Sequence, residues 1–143
     1  MDKKSVRSIL EDKIVIPEIQ REYVWGANGD NPEIVRNFVL DVNNKLSTGT
    51  DFPLGFLYSY KHGGELHLID GQQRMTTIVL LVFYCYCKEG CQDASVMRLL
   101  NQFSYRVRTD TEDFVFNLFS YADYFAKDLD LFKEDNLRNS RLF

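Results

Sequence analysis

Nothing in this chain is apolar for long enough to cross a bilayer. Its longest apolar run, Ile78 to Cys87, has ten residues, against the roughly 20 that a spanning helix needs, so it reads as a core helix. The start, Met1-Asp2-Lys3-Lys4, leads into mixed charge with no apolar h-region, which argues against a secretory leader. Cysteine is sparse and odd in number, at Cys85, Cys87 and Cys91. That excludes a disulfide framework and fits a reducing compartment. The C-x-C-x3-C spacing also misses the C-x2-C pattern of zinc sites. Cys85 and Cys87, two apart on a helix, fall on different faces, so core packing is the expected role. A cytoplasmic protein with no membrane partner is the resulting expectation.

Basic charge is not in excess either. Seventeen Lys and Arg against 21 Asp and Glu give a net charge of -4, which weighs against a broad basic face for gripping nucleic acid but not against a local basic pocket. No Gly-Lys-Ser/Thr is present to make a Walker A loop. No internal repeat or low-complexity tract interrupts the chain. What remains is 143 residues, 45% hydrophobic and 14% aromatic, enough for one well-packed domain.

The pattern predicts a short helix over Ser5 to Asp12, then an extended Ile14-Val15-Ile16 that Pro17 holds in the β region. A polar loop, Gln20 to Asp30, follows. Asn31 as N-cap, Pro32 and Glu33 open a helix whose apolar face is Ile34, Val35, Phe38, Val39, Val42 and Leu46, ended by Gly49. Leu54 to Tyr60 and Glu65 to Ile69 read as two strands around a Lys61-His62-Gly63-Gly64 turn. Helices are expected over Thr76 to Lys88, Ala94 to Phe103 and about Thr111 to Leu129. The fold class is therefore α+β, a small mixed sheet flanked by helices with a helical C-terminal part. One domain is expected over residues 1–143, with a core over 1–90 and a helical extension over 91–143. The charged tail from Lys133 has no stop signal, which reads as the N-terminal fragment of a longer protein.

Chemistry concentrates in Leu68-Ile69-Asp70-Gly71-Gln72-Gln73-Arg74-Met75-Thr76-Thr77. A strand, a glycine turn and a helix start crowded with donors suit a phosphate, because first-turn N–H groups and the helix dipole favour an anion there. Arg74 adds a planar fork of donors, and Gly71 permits close approach of a ligand to the backbone. Asp70 is placed to hold a divalent cation or orient water. The bland alternative is an Asp-Gly turn with amide capping. A second group, Gln20-Arg21-Glu22-Tyr23-Val24-Trp25, sets donors beside aromatic faces that could stack a base; its bland alternative is core aromatics with a surface ion pair. His67, in an alternating strand beside the Asp-Gly turn, reads as packed or solvent-facing. Glu11, Asp12, Glu18 and Glu22 read as a solvated acidic face.

Together, Ile16-Pro17-x-x-Gln20-Arg21-x-Tyr23-x-Trp25 and Ile69-Asp70-Gly71-Gln72-Gln73-Arg74-x-Thr76-Thr77 resemble the N-terminal domain of GmrSD-type, modification-dependent restriction endonucleases, a domain similar to the ParB/sulfiredoxin fold. Leu54-Gly55-Phe56-Leu57 and Tyr105-x-x-Arg108 with Phe114 extend the likeness over about Ile14 to Phe114. The resemblance implies an NTP-binding and NTP-hydrolysing regulatory domain of a phage-defence, type IV-like system. It implies Asp70 and Arg74 as catalytic residues, with Asp70 also the metal ligand for Mg2+ or Mn2+. Gly71, Gln72, Gln73, Arg74, Thr76 and Thr77 would bind nucleotide phosphates with Gln20 and Arg21, and Tyr23 and Trp25 would stack or support the base. The implied partners are the nucleotide, modified DNA, and a nuclease domain or partner subunit; an oligomer is left open. Histidine is limited to His62 and His67, too few for a His-rich nuclease motif, so DNA cleavage is expected outside this chain. The alternatives are a ParB-like DNA-binding module without turnover and a nuclease domain.

Overall fold

The structure, a computed structural model, describes residues 3–20, 23–25 and 33–133. Helix α1 (Val6–Leu10) is capped by Ser5, whose hydroxyl accepts the Ser8 N–H at 3.1 Å. Strand β1 (Lys13–Ile16) follows, then helix α2 (Glu33–Ser47). The expected N-cap Asn31 and Pro32 lie outside the described residues. Strands β2 (Tyr58–His62) and β3 (Glu65–Asp70) form a hairpin closed by Gly63 and Gly64, both at positive φ, a pair that matches the twist of a two-residue hairpin turn. Helices α3 (Gln72–Lys88) and α4 (Ala94–Leu100), strand β4 (Phe103–Tyr105) and helices α5 (Thr109–Ser120) and α6 (Ala122–Lys127) complete the order, with a 3-10 turn at Leu129–Phe132.

The four strands make one mixed sheet in the order β2-β3-β1-β4. Strand β1 runs parallel to both β3 and β4, while β2 is antiparallel to β3. The carboxyl ends of β1, β3 and β4 therefore share one edge. Pro17, Asp70-Gly71 and Arg106 leave the sheet there, and the Arg106 N–H extends the pairing to the Ile16 carbonyl at 2.8 Å. This α+β architecture agrees with the fold class read from the sequence.

Strand alternation separates the sheet faces. Ile14, Ile16, Leu68, Phe103 and Tyr105 are buried against the stripe Met75, Val79, Phe83 and Cys87 of α3 and against Val115, Leu118, Phe119 and Phe125 of α5 and α6. Spacing of four along α3 puts that stripe on one side. Of the two cysteines expected in the core, Cys87 packs there and burial pushes its thiol up to about 12, whereas Cys85 is exposed because it lies off the buried stripe of α3. Lys13, Val15, Glu65, His67 and Ser104 occupy the other face by register.

Four elements differ from the sequence reading. Residues 54–57 are irregular, and β2 starts only at Tyr58, because Gly55 turns to φ +80° and the flanking carbonyls face Arg74. Helix α3 starts at Gln72 rather than Thr76, so the motif side chains lie inside its first turns. The stretch over Ala94 to Phe103 ends its helix at Leu100 and supplies β4, a three-residue strand whose extended state depends on pairing with β1. The last helix is broken at Tyr121. The sheet thus draws its fourth strand from beyond residue 90. Of the predicted α2 face, only Val42 is buried; Leu46 is 69% exposed.

Candidate functional site

Strand β3 ends at Asp70, and Gly71 turns the chain into α3 with φ +88°. This left-handed conformation favours glycine. A Cβ here would also force the end of the Leu57 side chain to shift. Met75 donates the first intrahelical bond to the Gly71 carbonyl at 2.9 Å. No side chain caps the helix, and its first turn holds no acidic residue. The start of this 17-residue helix keeps unpaired N–H groups and the positive end of its dipole.

The motif side chains divide into two sets. Gln73, Arg74 and Thr77 are engaged in building the site. The Gln73 carbonyl oxygen Oε1 accepts the Val24 N–H at 2.9 Å and the Trp25 N–H at 3.4 Å, tying the two sequence motifs together across 49 and 48 positions. Thr77 donates to the Gln73 backbone carbonyl at 2.8 Å, which leaves its oxygen to accept from the Tyr23 hydroxyl at 2.9 Å. Burial pushes the Tyr23 phenol up, against the opposing effect of the Thr77 bond. Arg74 donates from Nη1 to the Leu54 carbonyl and from Nη2 to the Phe56 carbonyl, the latter at 2.9 Å. Gly55 makes that grip possible, since a Cβ there would strike the guanidinium. Arg74 therefore latches the 54–57 segment over the start of α3.

Asp70, Gln72 and Thr76 form the second set. Asp70 is 63% exposed in its side chain and reaches Arg74 only at 3.9 Å. Gln72 and Thr76, one turn apart on α3, are buried, at 7% and 4% exposure. The Thr76 hydroxyl is shut from solvent with no hydrogen-bond partner among the described residues, an arrangement that costs free energy unless a ligand or water satisfies it. Among the described residues, no group of three His, Cys, Asp or Glu could hold a metal. A divalent ion at Asp70 would thus fit only one that also carries phosphate oxygens and water as ligands, which is the usual habit of magnesium.

The remaining expected site residues are placed differently. Gln20 sits in the turn after β1, its N–H on the Pro17 carbonyl at 2.9 Å, and no hydrogen bond links it to α3 among the described residues. Arg21 lies outside the described residues. The Trp25 ring packs edge-on against Phe38 at 5.5 Å, and Phe38 against Phe52 at 5.5 Å. This aromatic file makes Trp25 part of the packing that holds α2.

One polar centre escaped the sequence reading. On the sheet face away from α3, Glu65 accepts from Arg106 Nη1 at 2.9 Å and Nη2 at 3.0 Å and pairs with Lys13 at 2.8 Å. The Arg106 fork holds the Glu65 carboxyl down to about 2. Arg106 Nε also meets Ser104 Oγ at 3.1 Å and Glu112 at 3.4 Å, and Ser104 donates to Glu112 at 3.2 Å. His67 joins through Nε2, 3.1 Å from Glu65, and its ring stacks on Tyr60 at 5.1 Å. The alternation of Glu65, Leu66, His67 and Leu68 signalled a polar face. Arg106, 41 positions away, carried no local sign of its partner.

No curated protein and no solved structure matches the chain. The sequence model of one family, the N-terminal domain of GmrSD restriction endonucleases, matches residues 4–143. With that match spanning both motifs around α3, the chain belongs to the GmrSD restriction endonuclease N-terminal domain family.

Proposed function

We propose that this domain binds a nucleoside triphosphate at the start of α3 and hydrolyses it, as the regulatory part of a phage-defence, type IV-like restriction system. The observation that carries the reading is the uncapped start of α3, acid-free in its first turn, with Gln72 and Thr76 buried beside it and the Thr76 hydroxyl left without a partner among the described residues. Backbone N–H groups at such a helix start are anion ligands. Family membership and the irregular, glycine-bearing approach of residues 54–57 support it, and we read the core as ParB/sulfiredoxin-like.

In this reading Gly71 lets the phosphates approach the backbone, while Gln72 and Thr76 add polar contacts. Arg74 contributes positive charge from a guanidinium already fixed by Leu54 and Phe56, so little reorganisation accompanies charge development at the phosphate. Asp70 would hold Mg2+ or Mn2+ together with phosphate oxygens, and that ion would neutralise charge on the phosphoryl group. DNA cleavage belongs to a nuclease region or partner outside these residues, and modified DNA is the signal that the nucleotide state gates.

Calorimetric titration of the full chain with magnesium and each NTP, alongside phosphate-release assays, tests this. Binding is expected, with hydrolysis reduced at least a hundredfold in Asp70→Ala while the melting curve stays unchanged. Absence of NTP binding by the folded protein overturns the reading. DNA binding without nucleotide, weakening steeply with salt, would favour the DNA-binding module instead.

A further inference from the structure

Helix α2 stands apart from the core. None of its hydrophobic side chains belongs to the main core cluster or packs against it, and Val42 is the one buried residue of its 15. Leu40 and Leu46 are 46% and 69% exposed. Among the described residues, no hydrogen bond or ion pair joins α2 to another element.

Its aromatic anchorage is a closed chain of contacts that starts and ends on neighbouring residues of α3. At one end Gln73 Oε1 accepts the Val24 and Trp25 N–H groups, and the Trp25 ring meets Phe38 of α2 at 5.5 Å. Thr77 reinforces that end through the Tyr23 hydroxyl at 2.9 Å. From Phe38 the chain passes to Phe52 at 5.5 Å, and shortly beyond it Leu54 and Phe56 give their carbonyls to Arg74. The long excursion between β1 and β2 is thus pinned at both ends by the first turn of the helix whose start is uncapped. The pinned parts bury little: residues 54–57 are irregular and Phe56 is 58% exposed. Segments with few buried apolar contacts open locally while the rest of a domain stays folded.

We propose that α2 is a regulatory arm, docked through Gln73 and Arg74 by an anion at the start of α3 and in turn setting the affinity of that site. The inference rests on the nucleotide reading above and supplies its regulation. A guanidinium has five N–H donors, and the Leu54 and Phe56 carbonyls take two of them. With the arm docked, the charge of Arg74 and its further donors are fixed beside the helix start. With the arm released, Arg74 is a rotating chain that the ligand must order again. The anion therefore binds the docked state more tightly and shifts the equilibrium toward it. The coupling is reciprocal, so whatever pulls α2 away weakens the ligand by the factor with which the ligand holds α2.

Hydrogen exchange read by mass spectrometry, with calorimetric titration of inorganic tripolyphosphate and magnesium, tests this on the full chain. Tripolyphosphate should slow exchange in α2 and residues 54–57 and leave α6 unchanged. Phe38→Ala removes a half-buried ring outside the main core. It should speed exchange in α2 and weaken tripolyphosphate about fivefold, the lower end of typical couplings between sites. Leu46→Ala, on the open side of α2, should change neither. Without ligand, Gln73→Leu should speed exchange in α2 as well as at residues 24–25. Unchanged α2 exchange in Phe38→Ala or Gln73→Leu overturns the anchorage. Tripolyphosphate binding that leaves wild-type α2 exchange unmoved, or equal affinity in a Phe38→Ala protein with a loosened α2, overturns the coupling and leaves the nucleotide reading standing. Failure of tripolyphosphate and of every NTP to bind overturns both.

Discussion

Two helices of this protein start on the same edge of the sheet, and neither has a side-chain cap, yet they begin in opposite electrostatic surroundings. Helix α3 follows Gly71 with no acidic residue in its first turn. Helix α5 follows Arg108 with Asp110 and Glu112 in its first turn. Carboxylates at a helix start already complement the dipole, so α5 supplies its own anions and α3 does not. An uncapped helix start is therefore not by itself a phosphate site. What distinguishes α3 is the combination of a first turn without carboxylates, a left-handed glycine and a buried Thr76 hydroxyl that has no hydrogen-bond partner among the described residues.

The sharpest way to break this comparison is Gly71→Ala. Strained backbone at φ +88° and the shift forced on Leu57 should together cost about 3 kcal/mol, read by urea denaturation. A loss under about 0.5 kcal/mol would mean that the α3 start is not fixed as described. The next effect in size concerns the anchoring of α5, whose Glu112 is tied through Arg106 to Glu65. Glu65→Gln should lower stability at neutral pH by about 2 kcal/mol, since it removes the charged acceptor of a bidentate pair. The sign with pH follows from a carboxyl lowered from 4.5 to about 2 on folding. Its stabilisation is complete above 4.5 and disappears as pH falls toward about 2, so the variant should show a flatter acid limb across that window. Thr76→Val gives the smallest change in stability and the most direct information about function. Removing a buried hydroxyl without a partner is expected to be neutral or to stabilise by up to about 1 kcal/mol. The same variant should weaken tripolyphosphate or NTP binding about tenfold. Equal affinity in the variant would remove Thr76 from the site.

Much of the α3 site was legible because its signals are local. Leu66, Leu68 and Ile69 run into Asp70-Gly71, and donor-rich residues precede an apolar helix; strand, turn and helix start follow from neighbours in the chain. The division of labour within the motif was not legible. Arg74 reads in sequence as a phosphate fork, whereas its guanidinium grips carbonyls 20 and 18 positions earlier. Gln73 reads as a phosphate ligand, whereas its oxygen orders the backbone at Val24 and Trp25. Strand β4 was equally hidden, because three residues carry too little periodicity to mark a strand until β1 pairs with them.

The sequence by itself determined the α+β class, the apolar core helix after the Asp70-Gly71-Gln72-Gln73-Arg74 motif, the glycine turn at Gly71 and the family. Each depends on residue type and on spacings within a few turns, where the local backbone preferences act. Only the tertiary structure decided which motif side chains build the pocket and which face it, and that Glu65, His67 and Arg106 meet on the second face of the sheet. Those outcomes depend chiefly on hydrogen bonds between residues 18 to 54 positions apart, whose donors and acceptors become neighbours only when β1, β3 and β4 pair.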